Sequence, residues 1–251
     1  MFHVKPPVEG GSVGDAPPAE RLIRRLDAAG VGVPSAVAAA LIALLDRLAV
    51  QRQNLTTITD VDEAIDRHLV DSLVALSLPE VAAATSIVDV GSGGGFPGIP
   101  LAAALPDATV TQVESERKKA EWLERCAGDF PNLRVVADRS EHLAARRREA
   151  WPLATARAVA SPAAVLELTA PLVAQGGHVV LWRTADADPD LDADALVAAE
   201  ILGLERLEPR SVEPFAGARR MLDRYAKRVP TPERFPRRPG RAAKRPLGVK
   251  R

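Results

Sequence analysis

Apolar side chains recur every three to four positions between residues 19 and 77, and this spacing predicts three helices. The first covers about 19–29 and stops at Gly30. The second covers about 35–52, with Ser35 as its cap and Val37, Leu41, Leu44, Leu45 and Leu48 on one stripe. The third covers about 61–77 and opens on Asp60, with Glu63 three residues on in a capping-box arrangement. From Ser86 the period changes. Short β-rich runs near 86–90, 109–114, 133–137, 152–158 and 177–183 alternate with helical patterns near 98–105, 116–129, 162–174 and 189–201, and two more strands are expected near 204–212 and 219–228.

Alternating strands and helices build a parallel sheet covered on both faces, here a seven-stranded, Rossmann-like α/β domain with an N-terminal helical extension. Its site is expected in the loops at the carboxyl ends of the strands. The domain boundaries follow from texture: a Pro- and Gly-rich, disordered leader over 1–18, a helical subdomain over 19–84, the sheet domain over 85–229 and a basic tail over 230–251. With 47% hydrophobic and 26% charged residues, the 251-residue chain is globular in composition rather than disordered. The longest nearly apolar run, Val33 to Leu45, falls short of the roughly 18 residues that span a bilayer. The N-terminus lacks the pattern of a secretory leader, and a single Cys126 makes neither an internal disulfide nor a cysteine-based metal site. The expectation is a cytoplasmic, monomeric protein without membrane contact or bound metal.

Net charge is zero but unevenly divided. Residues 218–251 hold 13 Lys and Arg against two acids, so the preceding residues carry a compensating excess of acid. Ten of the 13 are Arg, and prolines at 230, 232, 236, 239 and 246 oppose regular structure. An extended, Arg-rich segment lying over a surface is expected, either as a solubilising tail or as a polyanion binder that displaces counterions from a phosphate backbone. With aromatic residues at 4%, base stacking would not be the main source of any nucleic-acid affinity.

The candidate chemistry begins after the first strand, where Ile87-Val88-Asp89-Val90 runs into Gly91-Ser92-Gly93-Gly94-Gly95-Phe96-Pro97-Gly98. Gly91, Gly93 and Gly95 let the backbone turn tightly and approach a ligand, and the following helix offers N–H donors. Phe96 stands where the dinucleotide fingerprint needs its third glycine, which disfavours a nicotinamide cofactor. Glu114 ends the second strand 23 residues after Gly91, near the ~20-residue offset at which an acid meets ribose hydroxyls. Asp138-Arg139-Ser140-Glu141 follows the third strand, where an acid or a backbone group reads an adenine edge. Arg157 is the one charge in an apolar stretch and must meet a carboxylate such as Asp89, the cofactor or an anionic substrate. His68 and Asp71, three apart on one helical face, form either a local hydrogen-bonded cluster or a surface facing RNA. Arg146-Arg147-Arg148 reads as a solvated helix end and Cys126 as a packing residue.

The G-x-G-x-G spacing preceded by Asp89 resembles the first motif of class I methyltransferases. The run Gly91 to Leu101 resembles, more narrowly, the glucose-inhibited division protein B family of bacterial 16S ribosomal RNA guanine-N7 methyltransferases. So do Asn54-Leu55-Thr56, Arg67-His68-Leu69-Val70-Asp71-Ser72-Leu73, Arg157-Ala158, Phe235-Pro236-Arg237-Arg238-Pro239-Gly240 and Lys244-Arg245-Pro246-Leu247, in the family's order over about residues 20–250. The resemblance implies S-adenosylmethionine as methyl donor, S-adenosylhomocysteine as product, and a guanine of the 530 loop of 16S RNA, in the small ribosomal subunit, as acceptor. It carries cofactor binding onto Gly91, Phe96, Glu114, Ser140, Glu141 and Arg157, beside Gly93 and Gly95 of the same loop, and RNA contact onto His68, Arg237, Arg238, Lys244 and Arg245. Asp138 and Ala242 depart from the family pattern, the latter standing where proline is common. Guanine N7 has an exposed lone pair, so no general base is required, and Arg157 is the candidate for positioning the base. The competing readings are a methyltransferase for a small molecule or protein, which leaves the basic tail without a role, and a non-enzymatic ribosome-assembly factor.

Overall fold

Alternation along β1 (Ser86–Val90) sets the architecture, because Ile87 packs into an apolar cluster on one face of the sheet while Val88 and Val90 pack into another on the opposite face. The computed structural model describes residues 16–51, 55–184 and 189–248; most of the expected leader, and Asn54, lie outside them. Among the described residues the sheet has eight strands: β1, then β2 (Thr109–Val113), β3 (Leu133–Val136), β4 (Trp151–Arg157), β5 (Val173–Thr184), β6 (Leu204–Arg206), β7 (Arg210–Val212) and β8 (Arg220–Lys227). Their order is β3-β2-β1-β4-β5-β8-β6, with β7 also on β8. β1 to β5 pair in parallel and β8 runs antiparallel to β5. The strand expected over 204–212 is thus two. Pro209 offers no N–H to a ladder, and the pairing breaks around it, leaving β6 on the later half of β8 and β7 on the earlier half.

The helices are α1 (Pro18–Ala28), α2 (Ser35–Ala49), α3 (Val61–Ala64), α4 (Asp71–Leu73), α5 (Pro79–Ala82), α6 (Gly98–Ala104), α7 (Arg117–Ala127), α8 (Ser140–Arg146), α9 (Pro162–Thr169), α10 (Pro189–Leu202) and α11 (Arg241–Lys244). Residues of α1, α2, α6 and α7 enter the first apolar cluster, those of α8, α9 and α10 the second. Ser35 is the first helical residue of α2, not its cap; Pro34 holds that place. Asp60 does cap α3, accepting from the Glu63 amide at 2.8 Å. The expected single helix over 61–77 is broken: a π-helical turn over Ile65–Val70 separates α3 from α4, and a 3-10 turn over Val74–Ser77 follows. In the same stretch the Ser72 hydroxyl donates to the His68 carbonyl at 2.5 Å. Wide turns of this kind collect at functional sites, and this one carries Arg67 and His68. The helix expected over 162–174 ends at Thr169 because Pro171 cannot continue it, and β5 begins at Val173.

Candidate active site

β1 is the switch point of the sheet: the chain moves from it to β2 and β3 on one side and to β4 and β5 on the other. In such sheets the ligand crevice opens at that point, outside the carboxyl ends of the strands. The glycine loop occupies it. Gly91 has φ +72°, and a Cβ there would lie 2.6 Å from Val159 Cγ2 in the loop after β4, so the backbone stays bare where the two loops meet. Buried Asp89 ties the loop down from below. Its Oδ1 accepts from Thr155 Oγ1 at 2.9 Å and its Oδ2 from the Gly98 amide at 3.2 Å, while Ser92 Oγ donates to its carbonyl. Burial raises the Asp89 carboxyl above its ordinary range, against the pull of these donors.

Glu114 lies at the end of β2, almost buried, and holds the loop from the side: Oε2 accepts from the Gly93 amide at 3.0 Å and Oε1 from the Glu116 amide at 2.7 Å. Each carboxylate oxygen keeps a further lone pair for a hydroxyl donor. Two depressions adjoin here and share Gly91, Ser115 and Val159. The first runs between Val90, Ser140, Glu141 and the tail residues Gly240 and Ala242. The second is lined by Gly93, Phe96, Glu114, His68 and Arg157. Gly95, at φ +106°, turns the chain into α6 behind them.

His68 and Phe96 stack, ring centroids 4.5 Å apart and planes within 9°. His68 Nε2 meets Thr56 Oγ1 at 2.9 Å, and its buried Nδ1 has no partner among the described residues. Burial, then the cations Arg157 and Arg67, push the imidazole down to about 4, so it is neutral at physiological pH. Arg157 does meet a carboxylate, but that of Asp71 in α4, at 2.9 Å, rather than Asp89. The same Nη1 donates to the Arg67 carbonyl at 3.0 Å, and the guanidinium lies 5.6 Å from the Phe96 ring centroid. Asp71 also accepts from Arg220 Nε at 3.0 Å and is 5% exposed. The three-residue spacing of His68 and Asp71 is visible in the sequence, whereas Arg220 lies 149 residues from Asp71 without a local signal.

The tail is more structured than an extended strap. Phe235 is buried in the second apolar cluster. Arg237, expected to face RNA, forks onto Glu167, which is 1% exposed, with Nε at 2.8 and 3.0 Å and Nη2 at 2.5 Å. Arg238, Lys244 and Arg245 are exposed. The Gly240 amide donates to Glu141 Oε1 at 3.0 Å. Arg146 and Arg147 do form an exposed helix end, the first pairing with Asp138 at 2.6 Å and the second lying over Trp151, but Arg148 turns inward and donates to the carbonyls of Thr231, Pro232 and Phe235. Arg146 and His142 hold the Asp138 carboxyl down at about 2. Cys126 packs in the core as expected, its thiol pushed up to about 11 by burial.

A doubly covered sheet with a bare glycine loop at its switch point and an anchored carboxylate on the next strand is the framework of a class I S-adenosylmethionine-dependent methyltransferase. Two solved structures share the fold: a cofactor-bound protein from MTB, TM-score 0.52 at 21% identity over 85% of this chain and 99% of that one, and Aeropyrum pernix fibrillarin with natively bound S-adenosyl-L-methionine, TM-score 0.52 at 16% identity over 64% of this chain and 75% of that one. The family model described as GidB, rRNA small subunit methyltransferase G, matches residues 37–208, and the chain belongs to this family. It is 35% identical over 204 residues to the ribosomal RNA small subunit methyltransferase G of Staphylococcus carnosus (strain TM300), covering 78% of this chain and 84% of the relative. The protein of the same name in Sorangium cellulosum (strain So ce56) is 40% identical over 195 residues, covering 75% and 80%.

Proposed function

We propose that this protein transfers the methyl group of S-adenosylmethionine to N7 of a guanine in the 530 loop of 16S ribosomal RNA, acting as a cytoplasmic monomer on RNA presented in the small subunit. Family membership supports the reaction; the observation that carries the site is the pair of joined depressions over β1, one flanked by Ser140 and Glu141 and the other by Glu114, Phe96 and Arg157. The residues fit the cofactor. The bare edge at Gly91 and Gly93, with Phe96, takes the methionine end, while Gly95 faces Ile99 behind it and shapes the turn rather than touching the ligand; Glu114 has lone pairs for two ribose hydroxyls; Ser140 and Glu141 border the space for adenine.

Bound there, S-adenosylmethionine supplies an electrophilic sulfonium methyl and leaves as S-adenosylhomocysteine. Guanine N7 attacks with its own lone pair, so no residue of this chain has to remove a proton. The protein's work is to hold the two reactants in near-attack geometry and to exclude water. Arg157 hydrogen-bonds to the described residues through Nη1, beside its contact with the Phe96 ring, so the remaining N–H groups of its fork can orient the O6 edge of the base. His68, neutral and stacked on Phe96, adds no charge that would oppose the cation forming on the guanine. Exposed Arg238, Lys244 and Arg245 hold the phosphate backbone.

The test is transfer of labelled methyl to small subunits lacking the modification, followed by mapping of N7-methylguanine. Label on the 530-loop guanine, abolished by Gly93→Glu, is expected. No label on subunits or free ribosomal RNA would overturn the substrate, and unchanged transfer by Arg157→Ala would remove that residue from the site.

A further inference from the structure

The C-terminal segment has two faces. Outward it presents Arg238, Arg241, Lys244 and Arg245, all exposed. Inward it is fastened at three independent points: Arg148 on the carbonyls of Thr231, Pro232 and Phe235, the fork of Arg237 on buried Glu167, and the Gly240 amide on Glu141. The inward face closes one side of the first depression, where Gly240, Ala242 and Ala243 stand opposite Val90 and Ser140. Ala242 is 4% exposed. A Glu167 carboxylate buried beside that depression without Arg237 would be an uncompensated charge, so the docked arrangement is strongly favoured.

We infer that residues 231–247 are part of the cofactor site: the segment forms the outer wall of the adenosine pocket and sets the orientation of Glu141, with Arg237, Glu167 and Arg148 as positioning residues for S-adenosylmethionine. This rests on the cofactor placement proposed above. Because coupling between two equilibria is reciprocal, a cofactor that needs the docked tail must in turn hold the tail down.

The experiment uses the full chain and S-adenosylhomocysteine, with affinity measured by calorimetry and tail docking by the rate of trypsin cleavage at Arg241 and Lys244. Saturating S-adenosylhomocysteine is expected to slow cleavage of the wild-type tail, which a merely structural tail would not show. Arg237→Ala is expected to speed cleavage and weaken S-adenosylhomocysteine by at least about fivefold. Arg237→Lys, which keeps a cation on Glu167, should regain most of that affinity, and Arg210→Ala in β7 serves as the charge-matched control. Should Arg237→Ala fail to fold, Ala243→Glu tests the wall directly, with affinity reduced and the tail still protease-resistant. The inference is overturned if the ligand binds without protecting the tail, or if a freely cleaved Arg237→Ala tail leaves affinity unchanged. A wild-type protein that binds no S-adenosylhomocysteine at all would instead remove the cofactor placement on which the inference stands.

Discussion

Asp71 is buried between two guanidiniums, those of Arg157 and Arg220, and so joins α4 to both β4 and β8. Removing one partner of such a cluster strands the others, and Asp71→Ala is expected to lower stability by about 3–5 kcal/mol in urea denaturation. Gly91→Ala forces a side chain into a left-handed conformation, which costs roughly 1–2 kcal/mol, and drives Cβ into Val159. It should weaken S-adenosylhomocysteine binding in calorimetry more than it lowers the unfolding midpoint. His68 gives a pH signature. Its folded-state imidazole titrates at about 4, below the ordinary 6.5, so as pH falls the unfolded chain takes up the proton first. Stability should therefore hold above pH 6.5 and decline between 6.5 and 4. His68→Phe should reduce that slope and leave the smaller share of His178, whose imidazole burial also lowers. A slope unchanged by the substitution would show that His68 is solvated.

Among the elements, β1, its glycine loop and α6 were legible because their causes are local: a short β-rich apolar run, glycines that allow a tight turn and a following helical pattern. The capping of α3 by Asp60 was equally local. The break in the helix expected over 61–77 was not, since its apolar spacing fits a continuous helix and the π-helical turn lies where Arg67 and His68 meet the sheet domain. The tail was half legible. Its charge was plain, but its division into an inner Arg237 and outer Arg238, Arg241, Lys244 and Arg245 depends on Glu167, 70 residues away from Arg237. Changing the four outer residues together to Gln should flatten the salt dependence of RNA binding by about 0.7–0.9 in log–log slope for each phosphate no longer neutralised, while S-adenosylhomocysteine affinity stays within about twofold. An unchanged slope would make the outer face a passive surface.

For the whole molecule, no described helix is long and apolar enough to cross a membrane. Large apolar side chains exposed among the described residues are few, namely Val50, Leu191, Leu196, Val197 and Val229. For the proposed monomer, light scattering at micromolar concentration is expected to give a mass of 26.7 kDa. A dimer mass would point to the exposed face of α10, where Leu191, Leu196 and Val197 lie.

The succession of strands and helices, the place of the ligand loop at the end of β1, the acid at the end of β2 and the accumulation of cations at the C-terminus are all written locally in the chain, because periodicity, turn chemistry and charge are properties of neighbouring residues. The carboxylate that Arg157 meets, the insertion of β8 between β5 and β6, and the inward turn of the tail beside the first depression emerge only from the folded arrangement. Those outcomes join groups 86, 70 and 99 residues apart at Arg157–Asp71, Arg237–Glu167 and Gly240–Glu141. Burial selects such partners, because a charge taken out of water must be matched by whatever the folded chain brings beside it, and no local pattern names that neighbour in advance.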